Sequence, residues 1–173
     1  MDPVFHWTLR LGLALVLGTS GLSKLRDLEG FRRSVANYRI LPPSLEGGAA
    51  LLVPLLELGG AVLILSPAYP LGVTLFLLLL VLFSGAILWG LQQGGGFSCG
   101  CLGGVEEPLS PWLLLRNAVL AVLAALAYLG PEPRSLGLLD ALSVLMGGLF
   151  FLLAYLTASL FLANWGRMGE VRR

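Results

Sequence analysis

Five stretches of this chain, residues 5–22, 48–66, 71–91, 111–129 and 139–164, are almost free of charged side chains. Crossing the hydrocarbon core of a bilayer takes about 20 mostly apolar residues as an α-helix, and each stretch meets or approaches that length. Lipid offers the backbone no hydrogen-bond partners, so an open chain crosses it only as helix. The separators are helix breakers: Leu41-Pro42-Pro43, Ser66-Pro67, the glycines at 94–96, and Gly130-Pro131-Glu132-Pro133. Composition agrees, with 57% apolar and 12% charged residues, where soluble chains carry about 25% charge. The expectation is an all-α integral membrane bundle of five transmembrane helices, one membrane domain over 1–173, in the inner (cytoplasmic) membrane. The first stretch lacks a positive charge before Arg10 and has no clean small-x-small cleavage site, so it reads as a retained helix and not a signal peptide.

Residues 24–39 have a different pattern. Leu25, Leu28, Phe31, Val35 and Tyr38 recur at steps of three and four, with Lys24, Arg26, Arg32, Arg33 and Arg39 between them. That spacing predicts an interfacial amphipathic helix, apolar side against the bilayer, ended by Pro42-Pro43. With five spans, these five cations share a side with Arg167, Arg172 and Arg173 and with the loop at 92–110, while the other side has only Arg134. The positive-inside rule puts the cation-rich side in the cytoplasm.

Arg10, Glu57, Arg116 and Asn117 fall within predicted spans. A charge at mid-bilayer costs about 2.5–3.5 kcal/mol on insertion scales, so such groups face the bundle interior and pair. Glu57 is the only acid at depth, and with no Asp, Glu or His chain for a proton relay, the expected role is a structural clamp to Arg10 or Arg116. Arg10 is shallow enough to snorkel. Gly59-Gly60, after the acid, offers a small-residue surface for close helix approach.

The chemistry-bearing motif is Gly94-Gly95-Gly96-Phe97-Ser98-Cys99-Gly100-Cys101-Leu102-Gly103-Gly104. Cα atoms two residues apart sit about 5.5–7 Å from each other, against about 4.4–6.8 Å for disulfides. Gly100 lets the backbone bend to close such a ring. Strained, exposed disulfides are the readily reduced ones, which suits a dithiol relay with Cys99 and Cys101 as its catalytic pair. Two other readings stay open: capture of a soft metal by the two thiolates, or two small residues in a packed loop of a non-catalytic accessory subunit. His6 lies on the opposite side in this topology and cannot complete a zinc site. A net charge of +1 gives no surplus for nucleic acid. No resident cofactor is called for, and two cysteines make no disulfide framework.

Gly21-Leu22-Ser23-Lys24-Leu25-Arg26-Asp27 with Phe31, Tyr38, Leu41 and Pro42, then Glu57-Leu58-Gly59-Gly60, resemble the MauE/DoxX-like membrane proteins. Phe97-Ser98-Cys99-Gly100-Cys101-Leu102-Gly103 followed by Arg116-Asn117 resembles the MauE branch, methylamine utilisation protein E, which has an aromatic residue where Leu102 stands. The resemblance covers most of residues 5–129 and implies a four-helix DoxX-like core, to which this chain adds a fifth span. It also implies a redox-associated role in protein maturation beside a thioredoxin-like partner. A role in exported-protein disulfides implies the outer face for the cysteines, opposite to the side the charge count gives.

Overall fold

The computed structural model describes residues 1–94, 109–132 and 134–170, with side chains as far as 161. Among these residues the fold is six helices and no strand: α1 Pro3–Arg26, α2 Leu28–Asn37, α3 Pro43–Leu65, α4 Tyr69–Gln92, α5 Pro111–Leu126 and α6 Leu138–Glu170. Each boundary has a local cause. Asp2 caps α1 by accepting from the Val4 amide at 2.8 Å, and Pro3 occupies the first turn, where no amide is needed. Asp27 both ends α1 and caps α2, its Oδ1 accepting from the Gly30 amide at 2.9 Å. Beyond α2, Arg39 takes a left-handed conformation (φ 51°) and the chain turns into Pro42-Pro43. After Leu126, α5 tightens into i→i+3 bonds at Ala127, Tyr128 and Leu129, and Gly130-Pro131 stops it.

The predicted break at residue 23 is absent. Nothing in Ser23-Lys24-Leu25-Arg26 halts a helix, so α1 continues to Arg26 and takes Lys24 with it. Lys24 is therefore not on the solvated face of an amphipathic helix, as its spacing predicts, but buried on α1. The charged side of the pattern holds on α2 and its cap, where Arg32, Arg33 and Arg39 are exposed, but the apolar side packs on the bundle rather than facing outward: Phe31 and Tyr38 are buried within the protein, and Leu28 is exposed.

The five long helices alternate in direction. Gly21 of α1 meets Pro54 and Glu57 of α3, whereas Arg10 meets the far end of α3 at Ile64, so the two run antiparallel. Gly72 of α4 abuts Leu63 and Ile64 of α3, and Ser84 of α4 bonds Asn117 of α5. Thr8, Leu11 and Gly12 of α1 face Gly147, Gly148 and Phe151 of α6 in ascending order, which makes α1 and α6 parallel. One end of the bundle thus holds the start of α1 and the α3–α4 and α5–α6 connections. The other holds α2, the last turn of α4 and the first turn of α5.

The bundle is apolar outside, and its apolar interior also holds buried polar groups. Leu9, Leu13, Val16 and Leu17 of α1 pack with Ile64, Val73, Phe76, Leu79, Leu120 and Ala124, but Arg10, Lys24, Glu57 and Asn117 are buried among them. Outward stand Val62, Leu78, Val81, Val122, Phe150 and Leu153, each more than half exposed. Water would penalise that surface at about 25 cal/mol per Å², and lipid does not. Among the described residues three helices are long and apolar enough to cross a membrane: α3, α4 and Leu138–Phe161 of α6. A fourth, α5, is a shorter apolar helix. The chain is a multi-pass membrane protein.

Close helix approach depends on particular glycines. A Cβ on Gly21 would lie 2.9 Å from the Pro54 carbonyl oxygen and 3.1 Å from Glu57 Cβ, so α1 and α3 would have to part. Of the predicted Gly59-Gly60 surface, Gly60 meets Leu17 of α1, while Gly59 has open space around it. Gly21→Ala is expected to cost about 1–3 kcal/mol through overpacking, and Gly59→Ala to be neutral or slightly stabilising. Thermal unfolding of the two variants in detergent checks the contrast.

Candidate functional site

Ser20 and Lys24 are four residues apart on α1 and so share a face, and antiparallel packing sets Glu57 of α3 against them. Lys24 Nζ donates to Glu57 Oε1 at 2.5 Å and to Ser20 Oγ at 2.9 Å, and the Ser20 hydroxyl donates to Oε1 at 2.9 Å. Both ions are 1% exposed. The ammonium also lies over the rings of Phe83 at 4.7 Å and Phe31 at 5.3 Å, whose π faces attract it. An ammonium has three N–H donors and a carboxylate two accepting oxygens. Glu57 Oε2 is buried with no hydrogen-bond partner among the described residues.

Lys24 lines a cavity of about 280 Å³ whose other walls include Phe31, Tyr38, Ala49, Phe83 and Ala86. Tyr38 is also packed with Ile87 of α4 and with Leu109 and Leu113, where the chain re-enters the bundle as α5. Burial pushes the Tyr38 phenol up to about 12, so it stays neutral at physiological pH. Leu109 and Gly94 are the two described residues flanking the glycine-rich segment. The cavity therefore sits at the end of the bundle from which that segment leaves and to which it returns.

Cys99 and Cys101 lie outside the described residues. The predicted intramembrane polar residues all lie in helices, but not as one cluster. Arg10 is buried rather than snorkelled: its Nε and Nη2 each donate at 2.8 Å, to the Ile64 and Ser66 carbonyls, capping the negative end of α3. Its guanidinium is sandwiched between Trp7 at 4.1 Å and Tyr69 at 4.4 Å. Arg116 joins α5 to α6 through Ser159 Oγ at 3.2 Å. Asn117 Nδ2 donates to Ser84 Oγ at 3.1 Å, joining α5 to α4. Glu57 is a clamp, yet its partner is Lys24 and neither arginine, because α1 stays helical four residues further than its apolar run. Sequence reasoning missed Lys24 and Ser20; their spacing, with Gly21 between them, was the available signal. His6 is fully buried edge-on against Tyr69, 5.2 Å between centroids, at the opposite end from Gly94 and Leu109. Among the described residues no three His, Cys, Asp or Glu side chains converge as a metal site requires.

Comparison with known proteins bears on this arrangement. The family model described as methylamine utilisation protein MauE matches residues 2–130. The chain belongs to the MauE family. Methylamine utilization protein MauE of Paracoccus denitrificans is 37% identical over 164 residues, covering 92% of this chain and 88% of the relative. The Methylorubrum extorquens MauE is 40% identical over 160 residues (89% and 86%), and that of Methylophilus methylotrophus 34% over 170 (92% and 86%). No solved structure matches. The MauE model spans α1 to the end of α5, so it includes the whole Ser20–Lys24–Glu57 unit and excludes α6.

Removing one partner of a buried ion pair strands the other charge, at about 3–5 kcal/mol, whereas replacing both with apolar residues is often neutral. Lys24→Met and Glu57→Met are each expected to destabilise by that amount, and the double variant to return near the wild-type melting temperature. Thermal unfolding of the three in one detergent tests this coupling.

Proposed function

We propose that this MauE-family chain is a five-span inner-membrane thiol–disulfide relay that exchanges electrons with a thioredoxin-like partner through Cys99 and Cys101. The observation that carries the reading is the placement of the only two cysteines, within three residues of each other, in the segment between α4 and α5. The flanking residues Gly94 and Leu109 support it, being held at the same end of the bundle as the arginines of α2. The alternating direction of α1, α3, α4, α5 and α6 supports five crossings within one membrane domain, with α2 along the lipid surface. The relatives' names support methylamine utilisation as the setting, where the relay would serve the maturation of another protein.

The exchange balances without a cofactor. One thiolate attacks a sulfur of the partner's disulfide, forming a mixed disulfide and releasing the partner's other sulfur as a thiolate that takes up a proton. The second cysteine, deprotonated, then attacks the mixed disulfide. The pair ends as a disulfide, and the partner ends as a dithiol carrying the two electrons. Operation in reverse reduces Cys99–Cys101 and oxidises the partner.

The charge asymmetry puts this end of the bundle in the cytoplasm. In isolated membranes an alkylating reagent is expected to modify both cysteines after reductant and neither after oxidant, and Cys99→Ser to trap a mixed disulfide through Cys101. Labelling of both thiols under every redox condition would overturn the relay. A thiol reagent that cannot cross membranes is expected to reach the pair only in permeabilised cells; labelling of intact cells would invert the orientation. A stoichiometric metal that purifies with the protein and is lost in Cys99→Ser would replace the relay with soft-metal binding.

A further inference from the structure

We infer that His6 is an acid-sensitive latch: as a neutral ring it seats the first turns of α1 against α4 and the end of α5, and on taking up a proton it releases them. His6 is the one histidine of the chain, and it is fully buried. Its ring stands edge-on to Tyr69 of α4, 5.2 Å between centroids. The Leu129 carbonyl at the end of α5 faces it, but neither Nδ1 nor Nε2 completes a hydrogen bond among the described residues.

The surroundings suit the neutral ring and not the ion. Neutral imidazole has one N–H, which a single carbonyl can take; imidazolium has two N–H donors and a positive charge. The charged groups that face the ring are both cations, Arg10 one turn further along the same side of α1 and the Met1 ammonium. The Ile64 and Ser66 carbonyls of α3 are taken by Arg10. α4 brings Tyr69 and no charged residue, and the one charge of α5, Arg116, lies towards the other end. The acids at this end are already paired: Glu132 with the Met1 ammonium at 3.6 Å, and Asp2 and Asp140 with Arg134 at 3.3 and 2.7 Å. A cation buried without a partner is costly, and a second cation beside it adds repulsion.

The segment that holds the ring is also the one free to respond. The start of α1 is pinned by exposed bonds, the Met1 amino group donating to the Gly130 carbonyl at 3.4 Å and the Glu132 amide to the Met1 carbonyl at 2.9 Å. Bringing His6 to water releases these, while Arg10, one turn deeper, keeps the rest of α1 on α3. Imidazole in water takes up its proton near pH 6.5, so the latch works in mild acid. In the orientation proposed above, this end faces out of the cell and senses acidity there. The latch itself depends on neither the orientation nor the thiol chemistry, so it should persist in Cys99→Ser/Cys101→Ser.

The test is thermal unfolding of the purified full chain in detergent between pH 7.5 and 5.5. The unfolded chain accepts a proton that the seated ring has no room for, so the stabilisation is complete above about pH 6.5 and is lost as pH falls below it. Wild type is expected to lose about 2–4 °C of Tm over this range relative to His6→Phe, which keeps a ring against Tyr69 but cannot be charged. His6→Gln, a second neutral variant, should lack the same slope. Equal slopes in wild type and both variants would overturn the latch. A measurement on the wild type needs no variant, because NMR of the single ¹⁵N-labelled histidine ring reads its protonation directly. Amide exchange at residues 6–9, corrected for its intrinsic pH dependence, is expected to rise about tenfold or more over the range in which the ring is protonated. A ring that stays neutral down to pH 5.5, or one that is protonated with no rise in exchange, refutes it.

Discussion

A lysine ammonium 2.5 Å from a glutamate oxygen, inside a bundle whose outer surface is leucine, valine and phenylalanine, is stable only while the two charges stay together. Lipid will not solvate either ion, and the cost of separating them holds α1 and α3 in register. Much of the arrangement around them serves that contact. Gly21 lets the backbone of α3 come close enough, Ser20 shares the charge, and the rings of Phe31 and Phe83 enclose the ammonium. α1 contributes charged groups to both ends of its contact with α3: Arg10 caps the C-terminus of α3, and Lys24 pairs with Glu57 further along.

The same interaction explains why a small amphipathic helix is tied to the membrane helices. α2 begins immediately after α1, and its buried ring Phe31 stacks near the ammonium, while Tyr38 at its end closes over the junction of α4 and α5. The cavity is what remains between these rings and the alanines of α3 and α4. Its position next to the residues flanking the cysteine segment links the ion pair, the amphipathic helix and the proposed relay in one region. The region lies within the part of the chain that matches the MauE model, whereas α6 packs outside it on α1 through Gly12, Gly147 and Gly148.

The apolar runs and the proline and glycine breaks were legible in the sequence, because helix formation and burial in lipid depend on composition over a window of residues. The helices at 43–65, 69–92 and 138–161 follow those runs closely. The end of α1 was not legible, because a solvated lysine and a lysine buried against an acid look alike in a hydrophobicity pattern. Reading Lys24 with the arginines of α2 placed a boundary at the wrong residue and gave Glu57 the wrong partner. Arg10 and Arg116 were visible as costly intrahelical charges, but each satisfies a neighbouring helix locally, through backbone carbonyls and through Ser159 respectively.

By itself the sequence determined the solvent: a chain with this much apolar surface and this little charge must place its helices in lipid, since no sphere of its size could hide that surface from water. It also determined where the only two thiols lie, because their separation by one glycine is a covalent fact. Tertiary structure alone decided which charges meet. An ion pair depends on the positions of atoms 33 residues apart in the chain, and those positions follow from how closely α1 and α3 pack and in which direction they run. The cavity was decided in the same way, being bounded by side chains from four helices that only the packed bundle brings together.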